Sequence, residues 1–256
     1  MTEFVQQGEH LFAATGSHGL WRSDDDARTW RRLEGCKVAE FSALAVTEGL
    51  VVAGTLKQGV LLSRDRGETW VSANQGLSSL KTRRLLAVGK RTFLGTNAGL
   101  FVYEEGHSSW THLTGDLQVK GIASAGRDLY LGDVSGVQRS SDGGATWTRI
   151  LEETPHNLAV VGDSLYALLY SGSVKRSDDG GATWQDVSRG LPELYTFQIL
   201  PASRGALAAQ WDGVYVRQVD AWHPLRVGLP PGTAITDLLQ LANGRLVAAA
   251  VPRRTN

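Results

Sequence analysis

Short apolar runs separated by polar turns recur along the whole sequence. One set of runs is apolar on both faces, as at residues 41–46, 85–88 and 197–200. A second set follows closely, as at residues 51–55 and 129–133. No stretch shows helical periodicity. The pattern predicts an antiparallel β meander, in which neighbouring sheets cover both faces of the first strand of each unit.

Tryptophans mark a repeat within this meander. Six of the eight tryptophans recur at intervals of 37 to 40 residues, at Trp30, Trp70, Trp110, Trp147, Trp184 and Trp222. A period in this range, with four short strands in each unit, is typical of β-propeller blades. We therefore expect the tryptophans to open the fourth strand of each unit and to be buried between neighbouring sheets.

The phrase Ser-x-Asp-x-Gly-x-Thr-Trp ends at three of these tryptophans, at residues 63–70, 140–147 and 177–184. A fourth copy, at residues 23–30, has Ala27 in place of the glycine. The phrase predicts a tight hairpin in which the Asp carboxylate accepts hydrogen bonds from backbone N–H groups and glycine supplies a positive φ. This assigns a structural role to Asp25, Asp65, Asp142, Asp179, Trp30, Trp70, Trp147 and Trp184.

This phrase is the Asp-box, and the chain resembles the Asp-box (BNR) repeat propellers, such as the sortilin, photosystem II assembly factor and xyloglucanase types. The resemblance implies an all-β propeller of four-stranded antiparallel blades, with residues 1–256 forming a single domain. First and second strands can be counted seven times, but third and fourth strands only six times.

Three arrangements fit this count. The ring has seven blades with an incomplete last blade, or it has six blades with overlapping chain ends, or other sequence or a partner supplies the missing strands. We favour seven, with the Arg253-Arg254 tail covering the open edge.

Composition excludes several classes of partner. Twenty-six basic residues balance 26 acidic ones, so we expect neither a nucleic acid nor a membrane partner. Cys36 is the single cysteine, and no apolar run approaches the length of a membrane span or an export signal. The sequence predicts a cytoplasmic protein if the chain is complete. The six histidines show no metal-ligand spacing, so we expect no metal and no cofactor.

Candidate binding residues follow from the resemblance, because Asp-box enzymes work on the rim opposite the Asp-box turns. The rim candidates are Trp211, Asp212, Asp133, Arg83, Arg84, Lys57, His18 and Tyr195, with further candidates at Gln58, Lys81, Asn97, Ser135, His156, Tyr170 and Glu193.

Three of these features have alternative interpretations. Trp211 lies outside the repeat register and either packs over a loop or forms a platform for a sugar or peptide. Arg83 and Arg84, expected on the connection between blades two and three, either are solvated or contact an anionic partner. Asp133 and Asp212 could form a carboxylate pair for glycoside hydrolysis.

The resemblance also indicates which activities of the family to expect. Sialidases of this family carry a Phe-Arg-Ile-Pro stretch that this sequence lacks. The sortilin-type and photosystem assembly-type propellers bind polypeptides without chemistry. We therefore predict a protein- or peptide-binding module within a larger assembly, with no catalytic residue. The alternative is a glycan-active protein, either hydrolase or lectin, that uses the same rim.

Overall fold

The computed structural model describes residues 2–15, 18–36, 38, 40–192, 195–203, 205–225, 228 and 233–252. The predicted positions Glu193 and Arg253-Arg254 lie outside these residues. All regular secondary structure within the described residues consists of β-strands, as the apolar pattern predicted. The chain divides into two compact units, Met1–Ile122 and Ala123–Asn256.

Unit 1 contains three antiparallel sheets, each of four strands in sequence order, which we call blades 1 to 3. The strands of blade 1 are β1 (Thr2–Gln7), β2 (His10–Thr15), β3 (Gly19–Ser23) and β4 (Arg31–Arg32). Those of blade 2 are β5 (Phe41–Val46), β6 (Val51–Thr55), β7 (Val60–Ser63) and β8 (Val71–Ser72). Those of blade 3 are β9 (Thr82–Val88), β10 (Arg91–Thr96), β11 (Gly99–Glu104) and β12 (Thr111–His112).

Unit 2 contains three further four-stranded sheets, blades 4 to 6, except that the first two residues of blade 4, Gly121 and Ile122, belong to unit 1. The strands of blade 4 are β13 (Gly121–Ala125), β14 (Asp128–Asp133), β15 (Gly136–Ser140) and β16 (Thr148–Leu151). Those of blade 5 are β17 (Pro155–Val161), β18 (Ser164–Leu169), β19 (Val174–Ser177) and β20 (Gln185–Asp186). Those of blade 6 are β21 (Gln198–Ala202), β22 (Gly205–Gln210), β23 (Gly213–Gln218) and β24 (Ala221–Leu225).

The predicted count of seven blades is wrong. Six four-stranded blades account for residues 2–225, and the remaining described strands, β25 (Thr233–Gln240) and β26 (Leu246–Pro252), form a separate two-stranded sheet. The count failed because it relied on first and second strands, which a two-stranded sheet also supplies. This sheet packs on blade 6 as blade 2 packs on blade 1: the Leu238 amide donates to Gln198 Oε1, and the Leu44 amide donates to Glu3 Oε2.

Apolar side chains fill the space between successive blades within each unit. Each buried Leu, Val or Phe contributes roughly 1.5–3 kcal/mol through burial. In unit 1 the buried residues between blades 1 and 2 include Phe12, Leu20, Phe41 and Leu44, and those between blades 2 and 3 include Val52, Val60, Leu94 and Phe101. In unit 2 the corresponding residues include Tyr130, Leu158 and Ala167, then Tyr166, Val174 and Ala208, and finally Leu207, Val214 and Ile235.

The repeat tryptophans differ in burial. Trp110 and Trp222, the two repeat tryptophans outside the four copies of the turn phrase, are almost fully buried, whereas Trp30, Trp70, Trp147 and Trp184 are half-buried. The indole N–H of Trp222 donates to the Val187 carbonyl of the preceding repeat at 2.8 Å. That of Trp70 instead donates to Gly67 within its own turn at 2.9 Å. The indole N–H of a repeat tryptophan therefore donates either to the neighbouring repeat or to its own hairpin.

The four copies of the turn share one hydrogen-bond network. In each copy the Asp Oδ1 accepts the Thr backbone N–H at 2.9 Å, and the Ser hydroxyl donates to the same carboxylate at 2.8 Å. The Ser oxygen also accepts the N–H four residues further on, at 2.7 to 3.0 Å. The network closes each hairpin with side chains of its own phrase.

The same bonds keep the turn carboxylates charged. The hydrogen bond from the Thr hydroxyl, followed by that from the Thr N–H, lowers the pKa of Asp25, Asp65 and Asp179 to about 2. The pKa of Asp142 is lowered by the same two bonds.

Candidate functional site

Several of the residues predicted on the rim, Tyr170, Trp211 and Asp212 among them, lie at one end of the sheets of blades 5 and 6. The second strand connects to the third at this end, through residues 170–173 in blade 5 and 211–212 in blade 6. The first strand of each blade also begins here, because Pro155 pairs with Leu169 and Gln198 pairs with Ala209. We call this end of blades 4 to 6 the connection end.

Five aromatic rings meet at the connection end of blades 5 and 6. Trp211 contacts Phe197 with ring centroids 4.8 Å apart, and Phe197 contacts Tyr195 at 5.3 Å. Tyr195 stacks on His156 at 3.8 Å, and His156 contacts Tyr170 at 5.6 Å. These contacts form a continuous chain of rings from blade 6 to blade 5, which we call the aromatic row.

The two terminal rings of the aromatic row are open to solvent. Tyr170 is 55% exposed and Trp211 is 40% exposed, whereas His156 is 2% exposed. Tyr195 and Phe197 are half-buried. The row therefore rests on a buried ring and presents large aromatic surfaces at both ends, which is how anchor residues of binding surfaces are placed.

Beneath the row, the backbone is held by buried polar bonds. Phe197 N–H donates to the Ala209 carbonyl at 2.9 Å, and Tyr170 N–H donates to the Thr154 carbonyl at 3.3 Å. Gln210, which is fully buried next to Trp211, donates from Nε2 to the Thr196 hydroxyl at 2.5 Å. These bonds fix the chain on both sides of the rings, so the row is supported by strands and by a buried amide.

Asp212, which follows Trp211, is bonded within its own blade. Its Oδ2 accepts the Tyr215 hydroxyl at 2.9 Å. Burial, followed by this hydrogen bond to a carboxylate, raises the pKa of Tyr215 to about 12. Tyr215 therefore stays protonated at neutral pH and keeps Asp212 as a bonded acceptor beside the row.

Asp133 lies in the corresponding connection of blade 4. It is 3% exposed, and its carboxylate accepts hydrogen bonds from the Ser135 N–H at 2.6 Å and from Gln138 Nε2 at 2.7 Å. These bonds make Asp133 a support of its own turn. Each member of the predicted carboxylate pair is thus bonded to neighbours in its own blade, Asp133 in blade 4 and Asp212 in blade 6.

In unit 1 the predicted arginines lie on a strand rather than on a connection. Arg83 and Arg84 are half-buried residues of β9, and Arg83 Nε donates to Asn97 Oδ1. The expected loop is replaced by strand because Thr82 is buried and its hydroxyl donates to the Thr55 carbonyl at 2.6 Å. The sequence pattern therefore predicted a loop, because polar residues begin this strand and their buried hydrogen-bond partners lie far away in the sequence.

Arg84 also influences a carboxyl group in blade 1. Burial raises the pKa of Glu3 to about 7, against the opposing effects of the Arg84 charge and of the hydrogen bond from the Leu44 amide at 2.8 Å. The structure therefore gives Arg84 a partner inside unit 1.

The remaining candidates of unit 1 are exposed. Lys57 Nζ lies 3.3 Å from Glu40 Oε2, with 75% of the Lys57 side chain exposed, so this is a surface ion pair of little energetic weight. His18 is exposed, and its backbone carbonyl accepts the Trp21 indole N–H at 3.1 Å.

Within the described ranges, no group of three or more His, Cys, Asp or Glu side chains is arranged to hold a metal ion. No helix long and apolar enough to cross a membrane occurs in the part of the chain that the structure describes.

Four members of the aromatic row were predicted individually as rim residues, whereas Phe197 was predicted only as part of an apolar strand. In the structure Phe197 lies just before β21 and joins Trp211 to Tyr195. A usable signal was present, because only blades 5 and 6 have an aromatic residue in the connection from second to third strand among blades 2 to 6.

Comparison with known proteins establishes the fold. No protein-family model matches the sequence, and a search of curated proteins found no match. Among solved structures, the extracellular domain of BT4673 from B. thetaiotaomicron superposes with a TM-score of 0.80 at 13% identity, over 96% of this chain and 36% of that chain. This chain thus spans about a third of that protein's length.

Two other solved propellers are similar. YCF48 bound to D1 peptide has a TM-score of 0.74 at 13% identity, over 98% of this chain and 88% of that chain. An ancestral GH74 enzyme has a TM-score of 0.67 at 19% identity, over 85% of this chain and 37% of that chain. Likeness at such identities shows that the chain has the β-propeller fold.

Proposed function

We propose that this protein is a polypeptide-binding β-propeller of the Asp-box repeat type, and that the aromatic row is its binding surface. The observation that carries the proposal is the continuous chain of five rings between Trp211 and Tyr170, with both ends exposed. Assignment to the Asp-box type rests on the identical hydrogen-bond network in four turns.

The physical argument is one of preorganisation. Binding loses free energy when mobile side chains become ordered, by about 0.5–1.5 kcal/mol for each immobilised flexible side chain. In the row, each ring already contacts another ring, and the backbone beneath is held by strand pairing and by Gln210. A ligand would therefore gain apolar contact with Trp211 and Tyr170 at little entropic cost.

A binding role without catalysis is supported by the state of the carboxylates. The turn aspartates have lowered pKa values and accept bonds from their own Thr and Ser side chains. Asp133 is buried with three donors of its own turn region, and Asp212 is bonded to Tyr215. A general acid at neutral pH needs a raised pKa, which is the opposite of the shift in these turn aspartates.

The comparisons give the proposal its partner class. YCF48, which this chain resembles over almost its full length, has been solved with D1 peptide bound. The GH74 neighbour supports a glycan ligand as the second candidate, and the exposed Trp211 ring is the observation that favours it. Both candidates use the same row, so a single set of variants tests them.

The test is selection of a displayed random peptide library on immobilised protein, with a glycan array probed in parallel. Wild type is compared with Trp211→Ala and with a matched control, Val134→Ala, which truncates an exposed apolar side chain at the same end of blade 4. We expect peptides that bind wild type and the control and lose at least ~10-fold in affinity with Trp211→Ala.

Two outcomes would contradict the proposal. Glycan binding that depends on Trp211, with no peptide selected, would favour the second candidate. Peptides that bind the Trp211→Ala variant as tightly as wild type would move the binding surface away from the aromatic row. Thermal unfolding of each variant controls for loss of folded protein.

A further inference from the structure

The two-stranded sheet of unit 2 has an open edge. Among the described residues, β26 pairs with β25 alone, whereas the second strand of every blade lies between a first and a third strand. The last five residues of β6, β10, β14, β18 and β22 are all buried. Among residues 246–251 of β26, only Ala249 is buried, and Ala250 and Val251 are exposed. The outer side of β26 is therefore uncovered within the part of the chain that the structure describes.

The edge of β26 lacks the features that protect other open edges of this chain. Strand edges invite pairing with another chain unless they are short or carry charges or proline. The outermost strands β4, β8, β12 and β20 have two residues each, while β16 and β24 contain Arg149 and Pro224. β26 has seven residues, all of them uncharged, and its proline is the last of them. Its length and composition therefore favour pairing with a further strand.

The register of the two-stranded sheet matches that of a complete blade. In blade 2, Leu44 receives the cross-blade hydrogen bond and pairs with Ala53. In the two-stranded sheet, Leu238 receives the equivalent bond and pairs with Ala248. The two sheets can therefore be aligned at these pairs. This alignment matches Leu246 with Val51, Ala250 with Thr55 and Val251 with Leu56.

The residues that correspond to Leu246 lie opposite Asp-box turns. Val51 pairs with Ser63, which begins the turn phrase of blade 2. Leu11, Leu129 and Leu165 pair in the same way with Ser23, Ser140 and Ser177. β26 thus begins with the type of apolar residue that pairs with the serine of the phrase in four blades. The strand that fits beside β26 is the third strand of an Asp-box hairpin.

Blade 6 also offers a position for the tryptophan of such a hairpin. Three repeat tryptophans donate their indole N–H to a carbonyl of the preceding repeat at 2.7 to 2.9 Å, namely Trp110 to Ala73, Trp184 to Ile150 and Trp222 to Val187. Each acceptor lies three residues after the tryptophan of its own repeat. In blade 6 that position is Leu225, which packs in one cluster with Leu246 and Ala248 of β26.

We propose that β26 accepts a β-hairpin of the Asp-box type from another polypeptide. The first strand of the hairpin would pair antiparallel with β26 and place its serine opposite Leu246. Its tryptophan would pack on blade 6 and donate to the Leu225 carbonyl. Strand addition at an open sheet edge is a common mode of peptide recognition. The inference goes beyond the proposed function, because no residue of the aromatic row belongs to β25 or β26.

The surroundings of β26 favour a hairpin over a second copy of this chain. β23 and β24 extend blade 6 beyond β22 by two strand spacings, roughly 10 Å. Because the two-stranded sheet packs beside blade 6, its edge is recessed by about that depth, which the two strands of a hairpin would fill. The Asp-box hairpins of a second copy would already be paired, because β3, β7, β15 and β19 each lie beside a second strand of their own blade.

Fluorescence polarisation with a labelled synthetic hairpin tests the inference. The probe is the Asp-box hairpin of blade 5, residues 172–187, and the control peptide carries Ser177→Ala and Trp184→Ala. We expect the protein to bind the probe at least ~10-fold more tightly than the control peptide. Equal affinity for the two peptides, or no binding of either, would overturn the inference.

Two adjacent lysine substitutions locate the bound hairpin. Ala250 corresponds to Thr55, which is 1% exposed, whereas Val251 corresponds to Leu56, which is 45% exposed beside a complete blade. The added charge is the same in both variants, but only Ala250→Lys would bury it on binding. We expect Ala250→Lys to weaken probe binding by ~10-fold or more and Val251→Lys to change it by less than ~2-fold.

Hydrogen exchange of the wild-type protein gives a readout that needs no variant. The probe should slow exchange of amides in residues 247–251 at least ~10-fold, because pairing protects strand amides. Unchanged exchange there would refute strand addition. Probe binding that survives Ala250→Lys but is lost in Trp211→Ala would move the hairpin to the aromatic row. A dimer detected by light scattering and abolished by Ala250→Lys would identify a second copy as the occupant and overturn the inference.

Discussion

Gly190 offers a sharp test of how the blades of unit 2 pack. Its φ is +90°, and a Cβ added there would lie 2.2 Å from the carbonyl oxygen and 2.9 Å from the amide nitrogen of Trp222. Gly172 has nearly the same φ, +91°, but an added Cβ would meet no atom within 4 Å. The pair Gly190→Ala and Gly172→Ala therefore separates steric contact from backbone strain.

The expected costs follow from these geometries. Both substitutions place a Cβ on a left-handed backbone, which costs about 1–2 kcal/mol. Only Gly190→Ala also forces a methyl group against backbone atoms, and overpacking of this kind costs about 1–3 kcal/mol. If Trp222 moved away to relieve this clash, two hydrogen bonds would be strained. These are the bond from its N–H to the Arg189 carbonyl, at 2.9 Å, and the bond from its indole N–H to the Val187 carbonyl. We expect Gly190→Ala to lose about 2–5 kcal/mol in total.

Urea unfolding followed by tryptophan fluorescence measures both variants. The free energy of unfolding should fall by about 1–2 kcal/mol for Gly172→Ala and by at least ~1 kcal/mol more for Gly190→Ala. Gly76→Ala gives an independent repeat in unit 1, because its Cβ would lie 2.2 Å from the Trp110 carbonyl oxygen. Equal losses for Gly190→Ala and Gly172→Ala would refute the packing argument.

Other predictions concern the turns, the half-buried Glu3 and the exposed Val219. Ser140→Ala removes the acceptor of the buried Gly144 N–H and should cost about 1–3 kcal/mol, whereas Ser141→Ala at the exposed neighbour should cost less than ~0.5 kcal/mol; equal unfolding midpoints would contradict this. The pKa of Glu3 is raised from 4.5 to about 7, so its stabilising contribution is complete below pH 4.5 and is lost as pH rises through about 7. Glu3→Gln should abolish that loss, and a variant whose unfolding free energy follows wild type from about pH 5 to 8 would exclude it. Val219 is 97% exposed at a φ of +46°, so Val219→Gly should raise the free energy of unfolding by up to ~1 kcal/mol, and a lower melting temperature would count against strain.

The repeat architecture could be predicted from the sequence because it depends on interactions between residues that are close in sequence. A turn phrase of eight residues carries its own donors and acceptors, so each copy specifies its hairpin without distant partners. The copy with Ala27 keeps the same bonds because its φ is +62°, within reach of alanine, whereas Gly144 and Gly181 lie near +100°. Variation at this position is therefore explained by backbone angle.

The strand count and the arginines of β9 were mispredicted for a different reason. Apolar runs identify a strand but not the number of its neighbours, so β25 and β26 were counted as part of a blade. The polar start of β9 was interpreted as a loop because the buried partners of Thr82 come from Ser42 and Thr55, in the previous blade. Both errors concern pairing between segments that are distant in sequence.

Part of the aromatic row could have been predicted by comparing the repeats with one another. In a propeller every connection from second to third strand lies at the same end of its blade, so residues that depart from the repeat there are candidates for a functional surface. In blades 2 to 4 these connections carry Lys57, Asn97 and Ser135, while blades 5 and 6 carry Tyr170 and Trp211. Two aromatic departures in successive repeats already predict neighbouring rings at one end. The angles between those rings depend on side-chain packing across blades, and that information is present only in the structure.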